Sequence, residues 1–328
     1  MLNRIFVIGG SAGAHQVIEF ILKYVSSEIN AAFVIVLHSS ANSIGTYAEI
    51  SGLQSKIHCK SAEHGEEIKS GVAYFSVPDH HLFINHDGTL ALGKGPRENL
   101  FRPSIDVLFR SAATSMGNQI VGILLTGRLS DGTSGLQAIK ECGGITMVQN
   151  PENAEYQEMP LIAQKNVNPH YVEDIEEIPG IIGKIADEPL PIKVEIPERL
   201  LLENSIARKI ASQIDTQNLL GEQVALSCPS CGGPLWKMKD DKNTRYRCHV
   251  GHAFTAEALD QSQQEALEET LWVSLRTFEE KAILKQMMLD KYKTDGFDHL
   301  ANSMQKSVDE IKVHIKRLRE IMNLEDQY

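Results

Sequence analysis

Three unbroken apolar runs, each closed by a glycine-rich or polar turn, constrain this chain more than any other feature. Arg4-Ile5-Phe6-Val7-Ile8 leads into Gly9-Gly10-Ser11-Ala12-Gly13. Ala32-Phe33-Val34-Ile35-Val36-Leu37 ends on His38, and Ile120-Val121-Gly122-Ile123-Leu124-Leu125-Thr126-Gly127 enters a short loop that holds Asp131. Runs of this length without polar alternation read as strands buried on both faces, which is the habit of a parallel sheet. Parallel strands of an open α/β sheet end along one edge, and ligands bind there. A serine, a histidine and an aspartate far apart in sequence are thereby expected to meet.

The surrounding pattern fits that reading. Apolar runs alternate with helical periodicity over residues 1–185, the signature of βαβ units. Residues 16–24 and 104–113 read as helices, 144–148 as a further strand, and 82–92 as a hairpin with positive φ expected at Asp87-Gly88. Residues 186–200 are acidic and carry Pro189, Pro191 and Pro197, so a linker is expected there. A Cys/His module is expected over 201–256 and a helical hairpin over 257–328. In the hairpin, Leu267, Leu271, Leu275, Phe278 and Ala282, then Leu300, Met304, Val308, Ile311, Ile315, Leu318 and Met322, recur at three-to-four spacing around a Thr294-Asp295-Gly296 break. The expected fold class is therefore α/β, a doubly wound, mainly parallel, Rossmann-like three-layer sheet, followed by a small zinc ribbon and an α-helical hairpin.

A formal net charge of −11 over 328 residues argues against a general nucleic-acid binder and against adhesion to anionic membranes. No apolar run reaches the roughly 20 residues of a membrane span, so no membrane insertion is expected. Five cysteines, three of them clustered at metal-ligand spacing, suit a reducing cytoplasm better than a disulfide scaffold.

Gly9-Gly10-Ser11-Ala12-Gly13 fits G-x-S-x-G between a strand and a helix, where a sharp turn exposes the serine oxygen. Taken alone this is also an ordinary glycine-rich turn, His38 an ordinary strand-end histidine, and Asp131-Gly132 an ordinary helix-capping turn. Convergence of the three on one sheet edge favours a triad. The order Ser, His, Asp separates the chain from the α/β-hydrolases. A nucleotide-binding reading of Gly9-Gly10 lacks the full G-x-G-x-x-G spacing.

Residues from Ile5 to Ile185 resemble the catalytic domain of the chemotaxis protein-glutamate methylesterases, the CheB family. The segments that carry the resemblance are Ile8-Gly9-Gly10-Ser11-Ala12-Gly13, Val36-Leu37-His38, residues 102–109 (Arg-Pro-Ser-Ile-Asp-Val-Leu-Phe), Leu125-Thr126-Gly127 with Ser130-Asp131-Gly132, and Met159-Pro160 with Ala163. The resemblance implies a serine nucleophile at Ser11, a histidine base at His38 and an aspartate partner at Asp131. It also implies hydrolysis of γ-glutamyl methyl esters on a methylated chemoreceptor or related signalling protein, and glutamine deamidation by the same acyl-enzyme route. Backbone N–H groups at Ala12 and Arg128 are the candidate oxyanion donors. No cofactor is expected for catalysis. A methyltransferase or a separate receiver protein is a further candidate partner. Two local departures stand out: Ala12 where the family often has threonine, and Arg128-Leu129 where it commonly has Met-Gly. A third is architectural, since the sequence starts directly at the catalytic strand, without the amino-terminal receiver domain of well-known members, and regulation by phosphorylation in cis is not expected. These departures motivate a competing reading, a non-catalytic scaffold that binds partners through its C-terminal module. Arg97, Arg102 and Arg110 could face an acidic receptor helix or simply lie solvated.

Cys228-Pro229-Ser230-Cys231 and Cys248-His249-Val250-Gly251-His252 supply two short-spaced ligand pairs, the requirement of a tetrahedral zinc knuckle. Cys228, Cys231, Cys248 and His252 are the expected ligands. His249 competes with His252 but adjoins Cys248. Four protein ligands leave no open position, so a structural zinc is expected. Trp236, Tyr246 and Phe254 read as packing for this module, and Cys59 and Cys142 as buried thiols.

Overall fold

The structure is a computed structural model, and it describes residues 3–39, 45–208, 214–239 and 243–322. Two compact units are present, Met1–Leu259 and Asp260–Tyr328.

The first unit is built on a seven-stranded sheet. Its strands are β1 (Arg4–Gly10), β2 (Ala31–Leu37), β3 (His58–Ser61), β4 (Val72–Phe75), β7 (Ile120–Leu124), β8 (Ile145–Gln149) and β9 (Tyr171–Glu173), in the order β3-β4-β2-β1-β7-β8-β9. Every pairing in it is parallel. The three apolar runs are its three central strands. Side chains of β1 alternate between two cores: Ile5 and Val7 face one, Phe6 and Ile8 the other. The first core is covered by α3 (Ile105–Met116), α4 (Thr133–Glu141) and α5 (Glu158–Val167), and the second by α1 (Ala14–Tyr24), α2 (Tyr47–Gly52) and α6 (Ile178–Asp187). The chain winds outward in one direction from β1 through β2, then returns to the other side of β1 at β7. The switch point lies between β1 and β7, and it is there that such sheets bind ligands.

The expected hairpin at 82–92 forms from β5 (His81–Ile84) and β6 (Leu90–Gly93), with Ile84 opposite Leu90. The connection is longer than a two-residue turn, and of Asp87 and Gly88 only Gly88 takes positive φ. The Asp87 carboxylate instead accepts the Thr89 N–H at 3.0 Å, closing the loop locally.

Residues expected to link two modules are tied down. Arg4 is buried and donates to the carbonyls of Glu188 and Pro189, while Asn118 donates to that of Pro191. Beyond them come α7 (Glu198–Arg208), α8 (Ile214–Leu220) and a four-stranded antiparallel sheet, β10 (Gly221–Ser227), β11 (Pro234–Met238), β12 (Arg245–Cys248) and β13 (Ala253–Thr255). This ribbon belongs to the same compact unit as the large sheet. Trp236 and Phe254 are buried packing residues, as expected, and Tyr246 packs against the same core. Cys142 is buried and Cys59 half-buried.

A buried ion cluster helps weld α3 to the ribbon. Glu98 accepts from Arg110 at 2.8 Å and from Arg247 at 2.9 Å, and Glu203 accepts from Arg245 at 3.0 Å. Burial opposes ionisation of both glutamates, but the arginines win: Glu98 is held well below the usual carboxylate range and Glu203 is brought down to about 2. Arg110 is thus a core residue and is not available to an acidic partner. Helix α3 is buried on every side from Ile105 to Thr114, so its one arginine finds its counter-charge inside.

The second unit contains most of α9 (Ala256–Thr294) and all of α10 (Asp298–Ile321), which form the expected antiparallel hairpin. Phe278 meets His314 at 5.5 Å between ring centroids, and Lys285 donates to Ser307 at 2.8 Å. Among the described residues, no helix is long and apolar enough to cross a membrane.

Candidate active site

Sheet register brings the three predicted residues together. Gly10 pairs with Leu37 at the carboxyl ends of β1 and β2, so Ser11 and His38 leave the sheet side by side. Ser11 N–H is held by the Thr126 carbonyl at 3.1 Å and His38 N–H by the Gly10 carbonyl at 3.2 Å. Glycine is required at two positions for this approach. A Cβ on Gly10 would lie 2.3 Å from the Ala14 Cβ, and one on Gly127 would lie 2.8 Å from the Ser11 Cβ. Gly13, at φ +76°, turns the chain into α1.

His38 Nδ1 lies 3.2 Å from Ser11 Oγ and His38 Nε2 lies 2.7 Å from Asp131 Oδ2. Asp131 is an ionised acceptor, so the Nε2 proton is directed to it and the Nδ1 lone pair is left facing the serine hydroxyl. The His38 side chain is 3 % exposed and that of Asp131 is fully buried. Besides His38, Asp131 accepts Ile105 N–H at 2.7 Å, Asn99 Nδ2 at 2.8 Å and Ser104 Oγ at 3.0 Å. Burial alone would push its carboxyl up; the bonds from His38, Asn99 and Ile105 outweigh it and bring the carboxyl below its ordinary value.

Four residues around this relay were given no role by the sequence reading. The Phe101 ring stacks on His38 at 3.6 Å between centroids and 12° between planes. Asn99 donates to Asp131 and also, at 2.8 Å, to Asp106. Ser104 donates as described above. Asp106 is buried, and burial followed by the neighbouring Asp131 charge pushes it up to about 7. One amide thus bridges two buried carboxyls, only one of which is readily ionised at neutral pH. The available signal was the run of polar residues Asn99, Ser104 and Asp106 just before and at the start of α3.

Of the two proposed oxyanion positions, Ala12 is half-buried in the turn after Ser11. Arg128 is exposed, with its guanidinium over the Tyr156 ring at 5.0 Å. Arg102 is engaged by Asp79 at 2.6 Å.

The Cys/His cluster also assembles. One ligand atom from each of Cys228, Cys231, Cys248 and His252 lies within 4.8 Å of all the others. Cys231 Sγ is 3.7 Å from Cys248 Sγ, and His252 Nδ1 is 3.6 Å from Cys248 Sγ and 3.8 Å from Cys228 Sγ. Sulfurs at 2.3 Å from a tetrahedral ion are about 3.8 Å apart, so these residues fit a metal ion without rearrangement. His249 is not in the set; its ring lies against Gly233, where a Cβ would approach it to 3.1 Å.

Comparison with known proteins gives the family. The family described as CheB methylesterase matches residues 6–182. A Leptospira interrogans relative, named for protein-glutamate methylesterase/protein-glutamine glutaminase, is 41% identical over 172 residues, covering 52% of this chain and 89% of the relative. A Pseudomonas syringae pv. syringae protein-glutamate methylesterase/protein-glutamine glutaminase is 34% identical over 161 residues, 49% of this chain and 48% of that protein. The crystal structure of the Thermotoga maritima CheB methylesterase catalytic domain is covered completely by 56% of this chain, at 27% identity and a TM-score of 0.54. The chain therefore belongs to the CheB methylesterase family, whose members are carboxylic-ester hydrolases.

Proposed function

We propose that this chain is a serine esterase that removes methyl groups from glutamate methyl esters of a chemoreceptor-like protein. The observation that carries the reading is the continuous relay Ser11 Oγ–His38–Asp131 at the switch point of the sheet. Ser11 Oγ attacks the ester carbonyl while its proton passes to His38 Nδ1. Asp131 stabilises the imidazolium through Nε2–H and stays ionised. Backbone N–H groups of Ala12 and Arg128 receive the oxyanion. His38 then protonates the departing methanol, and water cleaves the acyl-enzyme by the reverse path. A glutamine side chain would reach the same acyl-enzyme with loss of ammonia, so deamidation belongs to the same site. The relay favours catalysis over the scaffold reading, because a binding module has no need of a buried ionised aspartate behind a histidine.

Zinc is the ion that three thiolates with one imidazole suit best, and its role here is structural. The setting is the cytoplasm, where receptor methylation sites are met. A methyltransferase, which makes the ester, and a free receiver protein are the natural functional companions.

The test is methanol release from a methylated receptor preparation, comparing the wild-type chain with Ser11→Ala. Release by the wild type that vanishes in the variant supports the proposal. Equal release by both, or none from the zinc-loaded wild type on receptors of its own host, contradicts it.

A further inference from the structure

Residues 98–101 touch the ribbon and the triad at once. They form a tight turn, with Glu98 N–H to the Phe101 carbonyl at 3.3 Å and Phe101 N–H to the Glu98 carbonyl at 3.0 Å. Both central residues are left-handed, Asn99 at φ +52° and Leu100 at φ +74°. Asparagine tolerates this conformation; leucine does not, and such a residue persists only where its surroundings enforce it. The ribbon is what enforces it. Leu100 packs into the ribbon core beside Cys228, Leu235, Cys248 and Phe254. Asn99 N–H donates to the Ala253 carbonyl at 2.8 Å, and Thr255 N–H donates to Asn99 Oδ1 at 3.0 Å. Ser130, beside Asp131, donates to Thr255 Oγ1 at 2.9 Å. Ala253 directly follows the metal ligand His252.

We infer that this turn is a clamp through which the Cys/His ribbon positions the triad, so that occupancy of the metal site controls the reactivity of Ser11. The inference rests on the reading of Ser11, His38 and Asp131 as the triad. Asn99 and Phe101 are its positioning residues: one fixes the Asp131 carboxylate, the other the plane of the His38 ring. Three successive residues divide the work, since Leu100 between them anchors in the ribbon. Without a metal, the Cys228/Cys231 and Cys248/His252 pairs lose their common tie, β13 is free to shift, and the ribbon contacts that hold a leucine at positive φ loosen. Misplacement by about 1 Å at such a site costs on the order of 100-fold in rate.

The experiment uses the full chain and a fluorophosphonate probe, which needs no receptor. Removing zinc with a chelator is expected to lower the maximal rate of Ser11 labelling roughly 10- to 100-fold with little change in the half-saturating probe concentration, and zinc alone to restore it. Asn99→Ala is expected to lower the same rate, and zinc removal from that variant to add little, because both act through one contact. Hydrogen exchange provides a readout free of activity: amides of Asn99 and Thr255 lose protection without zinc while those of α1 keep it. Leu100→Gly, which removes neither a metal ligand nor a triad residue, is expected to slow labelling in the zinc-loaded protein. It decides the matter should chelation unfold the whole unit. Wild-type labelling in Leu100→Gly, or independent effects of zinc removal and Asn99→Ala, overturns the clamp. Absence of labelling in the zinc-loaded wild type overturns the triad reading itself, and the clamp with it.

Discussion

Asp131→Asn keeps the shape of the side chain and removes its charge, and the hydrogen bonds around it determine the outcome. Oδ2 receives His38 Nε2 and Ile105 N–H, each at 2.7 Å. Oδ1 receives Asn99 Nδ2 at 2.8 Å, Ser104 Oγ at 3.0 Å and Asp106 N–H at 3.3 Å. Every neighbour donates, so the new amide NH2 opposes a donor whichever way it turns. Turned to the Oδ1 side it meets Asn99, which is prevented from flipping because its own Oδ1 accepts Thr255 N–H. Turned to the Oδ2 side it strands Ile105 N–H and donates to His38 Nε2. The imidazole proton must then sit on Nδ1, the nitrogen facing Ser11, and the base is idle. In a serine protease triad the equivalent change costs roughly 10⁴-fold in kcat, or about 5.5 kcal/mol of activation free energy. Stranding one buried N–H adds about 1–3 kcal/mol to the loss of folding stability. The assay is the maximal rate of fluorophosphonate labelling alongside ester turnover, with denaturant unfolding as the control for folding. A folded variant that loses less than about tenfold refutes the argument and removes Asp131 from the triad.

Three further outcomes follow from the same geometry. Asp106 is pushed up to about 7 by burial and then by Asp131, so the folded state holds a proton that the unfolded chain releases near its ordinary 3.8. Stability contributed by Asp106 is thus present below about pH 4 and lost as pH rises towards 7, by at most about 4 kcal/mol; unfolding at a series of pH values should show this slope weakened in Asp131→Asn, and an unchanged slope would refute the pairing. Glu203→Gln removes the carboxylate that pairs with buried Arg245 and lies near Arg110 and Arg247 and should cost about 3–5 kcal/mol at neutral pH. Because the Glu203 carboxyl is brought down to about 2, the gap between wild type and variant should persist below pH 4.5 and close only as pH falls towards 2; a gap already closed at pH 4.5 contradicts the cluster. Gly9→Ala places a Cβ 2.2 Å from Ile105 Cγ2, so about 1–3 kcal/mol of stability should be lost, together with labelling of Ser11, since Ile105 N–H holds Asp131.

That Ser11, His38 and Asp131 lie together was legible because each ends or follows a run too apolar to be anything but a central strand, and because parallel strands share an edge. The Cys/His cluster was legible from spacing alone, and the structure gathers His252 rather than His249 with the three cysteines. What surrounds the relay was not. Asn99 and Phe101 act from a turn whose left-handed residues include a leucine, and local sequence gives no warning of a conformation enforced by a ribbon more than a hundred residues away. Arg110 looked like a surface charge because its partners Glu98 and Glu203 come from distant segments. The proline-rich stretch read as a spacer for the same kind of reason: its carbonyls are bound by Arg4 and Asn118, and neither contact leaves a pattern in composition.

The most direct test of the central claim is to react the zinc-loaded full chain with a fluorophosphonate and identify the modified residue by peptide mass spectrometry, beside His38→Ala. The account predicts a single adduct on Ser11 that forms rapidly in the wild type and is lost in the variant. An unmodified Ser11, or labelling of Ser11 at the same rate without His38, would contradict it.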